Sequence, residues 1–219
     1  MLVQDYMTRH PIMIAPEAAA SEAEQLMSEN ELRHLPVVGD GKRLLGLITP
    51  QRLALKPDTL ASLNVWEITR FLADLRVKDL MLPADQVYTI APDQAVERAA
   101  RTMAEHRIGC LPVLEEDNVV LGILTEVDLL RCLQDALGLH VEGVRVTVRM
   151  PNREGEFAKL TSTMAERGWG IMGIGGFPTP RRPGYYDVVL KMPGVTPEQA
   201  KDAFNGVEDQ EIVDIRSWV

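Results

Sequence analysis

From Ser21 to Asn30 the apolar positions Ala23, Leu26 and Met27 fall at i, i+3 and i+4 with polar residues between them, a spacing that predicts an amphipathic helix. Ser21 and Glu24 stand three apart near its start, as the partners of a capping box do. Two short apolar runs come next, Leu35 to Val38 and Leu44 to Ile48. Gly39-Asp40-Gly41 between them has strong turn chemistry and predicts a β-hairpin. The pattern then returns. MSENELRHLPVV, from Met27 to Val38, recurs 76 positions later as MAEHRIGCLPVL, from Met103 to Leu114, and Gly46-Leu47-Ile48-Thr49 recurs as Gly122-Ile123-Leu124-Thr125. The front of each copy agrees too: Asp5-Tyr6-Met7 matches Asp79-Leu80-Met81, and Ile14-Ala15-Pro16 matches Ile90-Ala91-Pro92, with a two-residue insertion between these landmarks in the second copy. Each copy therefore predicts strand, helix, strand, strand, helix. A repeat of this length points to a duplicated unit, with ligand clefts where the two units meet.

The alternation changes character after residue 140. Val144, Val146 and Val148 alternate with Arg145, Thr147 and Arg149, the mark of a half-buried strand. A helix from about Phe157 to Arg167 comes after it, with Leu160 and Met164 among its apolar positions and Gly168 at its end. Ile171 to Phe177 predicts a second strand and Tyr185 to Met192 a third. Thr196-Pro197-Glu198-Gln199 opens a helix with proline in its first turn, and Glu211 to Val219 closes on a fourth strand. The order βαββαβ is that of a ferredoxin-like sandwich, so the fold class is α/β (α+β) throughout. Gly168 to Gly173 matches GxGxxG, but it follows a helix and enters a strand, the reverse of a dinucleotide-binding turn, and a Rossmann site is rejected.

Composition narrows the function classes. A chain of 219 residues, 46% hydrophobic and 25% charged, can bury a sizeable core in one or two compact domains. No apolar run approaches the roughly 20 residues of a membrane span, and MLVQDYMTRHP lacks the features of a secretory signal, so a soluble, cytoplasmic protein without a membrane partner is expected. Cys110 and Cys132 lie without CxxC spacing or a cluster of histidines, which argues for reduced thiols and no metal. Of the net charge of −9, the first 140 residues carry −8 and the remainder −1, which disfavours a nucleic-acid surface; Arg181-Arg182 reads as an exposed loop pair. His10, His34, His106 and His140 are scattered, and no Ser/His/Asp order, Walker A motif or HExxH is present. No catalytic constellation emerges, and no cofactor is required.

The succession of an N-terminal Asp-x-Met, a strand ending Ile-Ala-Pro, an amphipathic helix, Leu-Pro-Val, and Gly-h-h-Thr followed by a helix resembles the CBS domain, and two in tandem resemble a Bateman module. The resemblance covers about residues 1 to 135: a first repeat over 1–55, a connecting helical segment over 56–76 and a second repeat over 77–138. In the connecting segment Asn64 to Glu67 has capping-box spacing, Ile68, Leu72 and Leu75 form a stripe, and Trp66 reads as a packing anchor. The resemblance implies adenosine-containing ligands (AMP, ADP or ATP) in clefts between the halves. In the family pattern Gly-h-h-Thr-x-x-Asp the aspartate takes the two ribose hydroxyls, for which an acceptor-only carboxylate is suited. The second copy carries it in full as Gly122, Thr125 and Asp128. The implied nucleotide site is then Thr89, Ile90, Gly109, Cys110, Leu111, Pro112, Thr125 and Asp128. In the first copy Arg52 stands where the aspartate belongs, and arginine accepts no hydrogen bond from a diol. A second candidate nucleotide site, Ile14, Arg33, His34, Leu35, Pro36 and Thr49, is therefore either degenerate or turned toward a phosphate-rich ligand. Arg33-His34 either points a cation into the central cleft or is solvated.

Val148 to Leu160 resembles the opening of an ACT domain over residues 141–219. Arg153 and Gly155 agree with its Asp-Lys/Arg-Pro-Gly pattern, Asn152 replaces the aspartate and Glu154 the proline. The resemblance implies an amino-acid site at Asn152, Arg153 and Gly155, or a purely dimerising role. Two CBS-like repeats followed by an ACT-like tail are similar to the acetoin utilisation (AcuB) family. That similarity implies a non-catalytic regulator, expected to be a homodimer acting on a regulated protein, and associated with acetoin or related carbon metabolism. An amino-acid sensor and a ligand-free assembly protein are the alternatives.

Overall fold

The computed structural model describes residues 1–54, 74–179 and 182–218. The connecting helix expected around Trp66, and Arg181, lie outside the described residues. The chain divides into two compact units, Met1–Leu129 and Leu130–Val219.

In the first unit the described elements run α1 (Val3–Tyr6), β1 (Thr8–Arg9), α2 (Ala20–Glu29), β2 (Leu35–Val38), β3 (Leu44–Ile48), α3 (Pro50–Leu53), α4 (Val77–Leu80), β4 (Leu82–Pro83), α5 (Val96–His106), β5 (Cys110–Leu114) and β6 (Val120–Thr125). Helix α6 (Glu126–Ala136) begins at its end. Both expected hairpins form, β2 with β3 and β5 with β6, each antiparallel and each with a register shift next to its turn. The two sheets are three-stranded, ordered β2-β3-β4 and β1-β6-β5. The short strand at the front of each copy is thus exchanged: Thr8 pairs with Ile123 of the second copy, and Leu82 pairs with Leu47 of the first.

The two cores repeat this exchange. Ile14, Ala23, Met27, Leu35, Val37 and Ile48 enclose Val77, whereas Ile90, Ala99, Met103, Leu111, Val113 and Leu124 enclose Val3. The shared landmarks acquire physical reasons. Asp5 and Asp79 each cap their own short helix, accepting the Leu2 and Arg76 backbone N–H groups at 3.0 Å. Gly122 admits the exchanged arm, because a Cβ there would sit 2.7 Å from Met7 Sδ and 2.9 Å from the Thr8 carbonyl oxygen. A Cβ at Gly46 would meet Met81 Sδ at 2.8 Å and collide with the Leu82 carbonyl. The capping box expected at Ser21 and Glu24 is not formed. Helix α2 starts at Ala20 with Ala19 as its N-cap and no side-chain cap. The first-turn N–H of Ala20 instead reaches the Leu75 carbonyl at 3.0 Å, as Val96 reaches Met1 at 3.3 Å, so exchanged backbone serves as the cap.

The second unit is the expected βαββαβ arrangement: β7 (Gly143–Pro151), α7 (Glu156–Ala165), β8 (Gly173–Pro178), β9 (Tyr185–Met192), α8 (Pro197–Phe204) and β10 (Glu211–Trp218). All pairings are antiparallel, in the order β10-β7-β9-β8. The alternating Val144, Val146 and Val148 are fully buried and pack with Leu160, Met164, Leu190 and Phe204 under the helices. Thr196 and Gln199 form the reciprocal capping box that starts α8.

Candidate functional site

The exchange of β1 builds a cleft. By pairing with β6, it carries Thr8, His10, Pro11 and Ile12 of the first copy alongside Ile123 and Thr125 of the second. The residues that leave α2, Asn30 to His34, form the opposite wall, and Gly109 and Glu126 complete a cavity of about 550 Å³. His10 turns the arm at φ 49°, its N–H held by the Leu121 carbonyl at 3.2 Å.

Thr125 closes β6 and starts α6. Its backbone N–H and its hydroxyl both donate to Asp128 Oδ2, at 2.8 and 2.7 Å, and the Asp128 N–H returns to the threonine oxygen at 3.4 Å. This reciprocal cap holds Asp128 nearly buried, 4% exposed, behind Thr125 and outside the lining of the cavity. Gly109 leaves room for His34, since a Cβ there would lie 3.1 Å from the imidazole Cε1 and 3.5 Å from Glu126 Oε2. Burial lowers the His34 pKa from the ordinary 6.5; Glu126 opposes that shift and Arg33 adds to it, so the imidazole is neutral at pH 7. The neighbouring Cys110 is pushed up to about 12 by burial and by Glu126, which leaves an unreactive thiol packed with Leu47 and Ile123.

The equivalent turn of the first copy is built differently. Thr49 makes no side-chain cap, Pro50 occupies the first turn of α3, and Arg52 is exposed to solvent. At the positions equivalent to Ile12 and Asn30 stand Tyr88 and His106, whose rings stack with centroids 3.9 Å apart.

A family model for the CBS domain matches residues 3–56 and 77–135, just over half of the chain. The chain belongs to the CBS-domain family. Its two CBS copies form a tandem pair of mixed α/β structure consistent with a Bateman module. Among solved structures, the pair is similar to the Vibrio cholerae protein named for acetoin utilization, AcuB. That match is 30% identical, covers 61% of this chain and 90% of the other, and has a TM-score of 0.50. It is similar as well to the CBS-pair protein CBSX2, solved in complex with AMP, at 26% identity over 60% of this chain and 95% of the other, with a TM-score of 0.51. Among curated proteins, a homoserine O-acetyltransferase of Methanohalobium evestigatum is 30% identical over 134 residues, 61% of this chain. The match spans only 24% of that relative's own length.

Within the CBS pair, the residues singled out from the sequence, apart from Cys110, Asp128 and Thr49 placed above, divide into three groups. Gly109, Thr125, Arg33 and His34 line one and the same cleft, so Arg33 and His34 stand opposite Thr125 rather than beside Thr49 in a cleft of their own. Ile14, Leu35, Ile90 and Leu111 are core residues, and Pro36 and Pro112 are buried with them. Thr89 lies elsewhere, in a hollow shared with Leu44, Asp85 and Asn118. His10, Pro11 and Ile12 escape a reading of the sequence, because nothing local to them marks the strand pairing that brings them to Thr125.

In the C-terminal unit the Asn152 to Gly155 loop is held from within. Arg153 pairs with Glu156 at 2.7 Å and with Asp209 at 2.5 Å, and Gly155 turns at φ 88°. Burial alone would raise the Glu156 carboxyl, but hydrogen bonds from Arg153, Lys159 and Gln210 outweigh it and bring the group down to about 2. Gly168 and Gly173 of the GxGxxG string flank a helix end and a strand start, in the order that excludes a dinucleotide turn. Among the described residues no group of three or more His, Cys, Asp or Glu side chains is placed to hold a metal, and no helix is long and apolar enough to cross a membrane.

Proposed function

We propose that the CBS pair is a regulatory, non-catalytic sensor of an adenosine-containing ligand, bound in the cleft between the Thr8 to Ile12 arm and Thr125. The observation that carries this reading is that an apolar wall and a cation line the cleft together with Thr125, whose hydroxyl is bonded to the Asp128 carboxylate behind it. Pro11, Ile12 and Ile123 offer an apolar wall for a base, and the Asp128 carboxylate, now accepting from Thr125, is the acceptor that a ribose diol would engage by displacing the threonine hydroxyl. Arg33 supplies a cation for phosphate. It stands against Glu31 and Glu126 in the same lining, a balance that suits one phosphate better than three, so AMP is favoured over ADP and ATP. The AMP complex of the similar CBSX2 structure supports this choice. Calorimetric titration of nucleotide-stripped protein tests it: AMP binds the parent, and Asp128→Ala weakens binding by about 2 kcal/mol, roughly thirtyfold. A variant that binds AMP as tightly as the parent overturns the ribose assignment.

Occupancy of the cleft ties the exchanged arm of one copy to the turn of the other, so the ligand selects one arrangement of the halves. Regulation of a partner protein then needs only differential affinity for two such arrangements, with couplings of typically about 1 to 3 kcal/mol. The likeness to AcuB favours acetoin or related carbon metabolism as the setting. For the C-terminal unit we favour an ACT-like dimerising role. Strand β8 is a sheet edge with Ile174 and Phe177 exposed, whereas Arg153 of the candidate amino-acid loop is committed to Glu156 and Asp209. Sedimentation at micromolar concentration showing a stable monomer would remove that role.

A further inference from the structure

The sheet of the C-terminal unit has two unlike faces. Val144, Val146, Val148, Leu190 and Met192 face the helices, and the alternate residues face the other way. On that second face the described cations of the central strands meet carboxylates, with one exception. Arg149 pairs with Asp187 at 2.8 Å and Arg145 with Asp214 at 3.0 Å. Lys191, directly across from Arg145 in the register of β7 and β9, has no carboxylate among the described residues. It is 2% exposed, its Nζ is buried without a hydrogen-bond partner, and it lies over the face of Trp218, 4.8 Å from the ring centroid. Burial lowers its pKa accordingly.

Lys191 lines a pocket of about 300 Å³. Leu133 and Leu137, from the end of α6 and just beyond it, line it with Phe177 and Trp218. Arg145 is the other charged group in the lining, and among the described residues no acidic side chain contributes to it. Trp218 is fixed by its indole N–H, which donates to the Leu139 carbonyl at 3.1 Å. A buried ammonium without an acceptor is costly, and a carboxylate is the group that satisfies it with charge-assisted hydrogen bonds. The apolar walls ask for an aliphatic or aromatic body behind that carboxylate. A lining without an acid leaves nothing to receive the ammonium of an amino acid.

We propose that this pocket is a binding site for a small monocarboxylate with an apolar body, its carboxylate received by Lys191 and Arg145. The site is separate from the Asp128 cleft and from the Asn152 to Gly155 loop, and it does not depend on the nucleotide reading.

The test is calorimetric titration of the full chain with 4-methylpentanoate and phenylacetate, beside their amides and leucine. The acids are expected to bind, and the amides and leucine at least tenfold more weakly. Lys191→Met keeps the volume and removes the charge; it is expected to fold, to keep AMP binding and to lose acid binding by at least tenfold. Should that variant fail to fold, Val189→Phe, which fills the pocket from the sheet, is the substitute and is expected to lose acid binding in the same way. Amides binding as well as acids, affinity unchanged by either substitution, or no binding of either acid at millimolar concentration would each overturn the proposal. So would dissociation of a dimer by Lys191→Met, because the acceptor for the ammonium would then come from a second copy.

Discussion

The two CBS copies share a core nearly residue for residue and part most sharply at one turn. Ala23 and Ala99, Met27 and Met103, Leu35 and Leu111, Val37 and Val113 occupy matching buried positions, and each core is completed by a valine from the other copy's front segment. At the end of the second hairpin strand the copies part. Thr125 and Asp128 bond reciprocally and draw the carboxylate inward, whereas Thr49, Pro50 and Arg52 leave an uncapped turn and a cation in solvent. Packing tolerates little asymmetry because every core residue touches several others. A ligand-facing turn has few such neighbours, so one copy can lose its ribose acceptor while the shared scaffold persists.

The largest effects are expected where the copies are alike. Gly122→Val and Gly46→Val both force a side chain into the space of an exchanged arm, against Met7 Sδ and the Thr8 carbonyl in one case and Met81 in the other. Each is expected to cost about 3 kcal/mol of unfolding free energy by denaturant titration. If one glycine tolerates valine freely, the symmetry of the exchange is only superficial.

Next comes the difference between the copies. Asp128→Ala should weaken AMP by roughly thirtyfold, and Arg52→Ala should leave AMP affinity within about twofold of the parent. Equal losses in both variants would mean that the first copy holds a nucleotide as well. The converse experiment builds the missing site. Arg52→Asp with Tyr88→Ile restores the acceptor and removes one ring of the Tyr88–His106 stack, and calorimetric stoichiometry should rise from one AMP per chain to two. A stoichiometry that stays at one would place the deciding feature outside Thr49, Arg52 and the ring pair.

Whether a feature can be read in the sequence depends on how local its cause is. The periodicity of Ala23, Leu26 and Met27, the hairpins, and the alternation of Val144, Val146 and Val148 all predict elements that are present, because burial of one face writes itself into neighbouring positions. The contrast of Arg52 with Asp128 is equally visible, since both lie at matching places in a repeated phrase. The exchange of arms is not. Nothing local marks Val3 and Val77 as core residues, because the cores they complete belong to the other copy. Sequence alone groups Thr89 with Thr125, which line different hollows, and passes over the arm residues His10 to Ile12. The capping box at Ser21 and Glu24 fails because the helix begins two residues earlier, with Ala19 as its N-cap, which puts Ser21 inside the first turn; the Ala20 N–H is met by the Leu75 carbonyl.

The smallest effect concerns His34, which the first copy contributes to the second copy's cleft. In the free protein its pKa lies below the ordinary 6.5 through burial, so the unfolded chain takes up the proton more readily and stability falls as pH drops below 6.5 toward the depressed value. A bound phosphate beside Arg33 reverses the balance, because an anion favours the imidazolium and lifts the pKa back. AMP affinity should therefore rise a few-fold between about pH 7.5 and 6, with proton uptake detectable as a buffer-dependent heat in calorimetry. His34→Gln keeps a polar side chain of similar reach and should flatten that slope while leaving binding at the upper end of the range nearly unchanged. A slope that survives the substitution would take the proton away from His34, and the phosphate of AMP, whose second pKa is about 6, would then be the group that titrates.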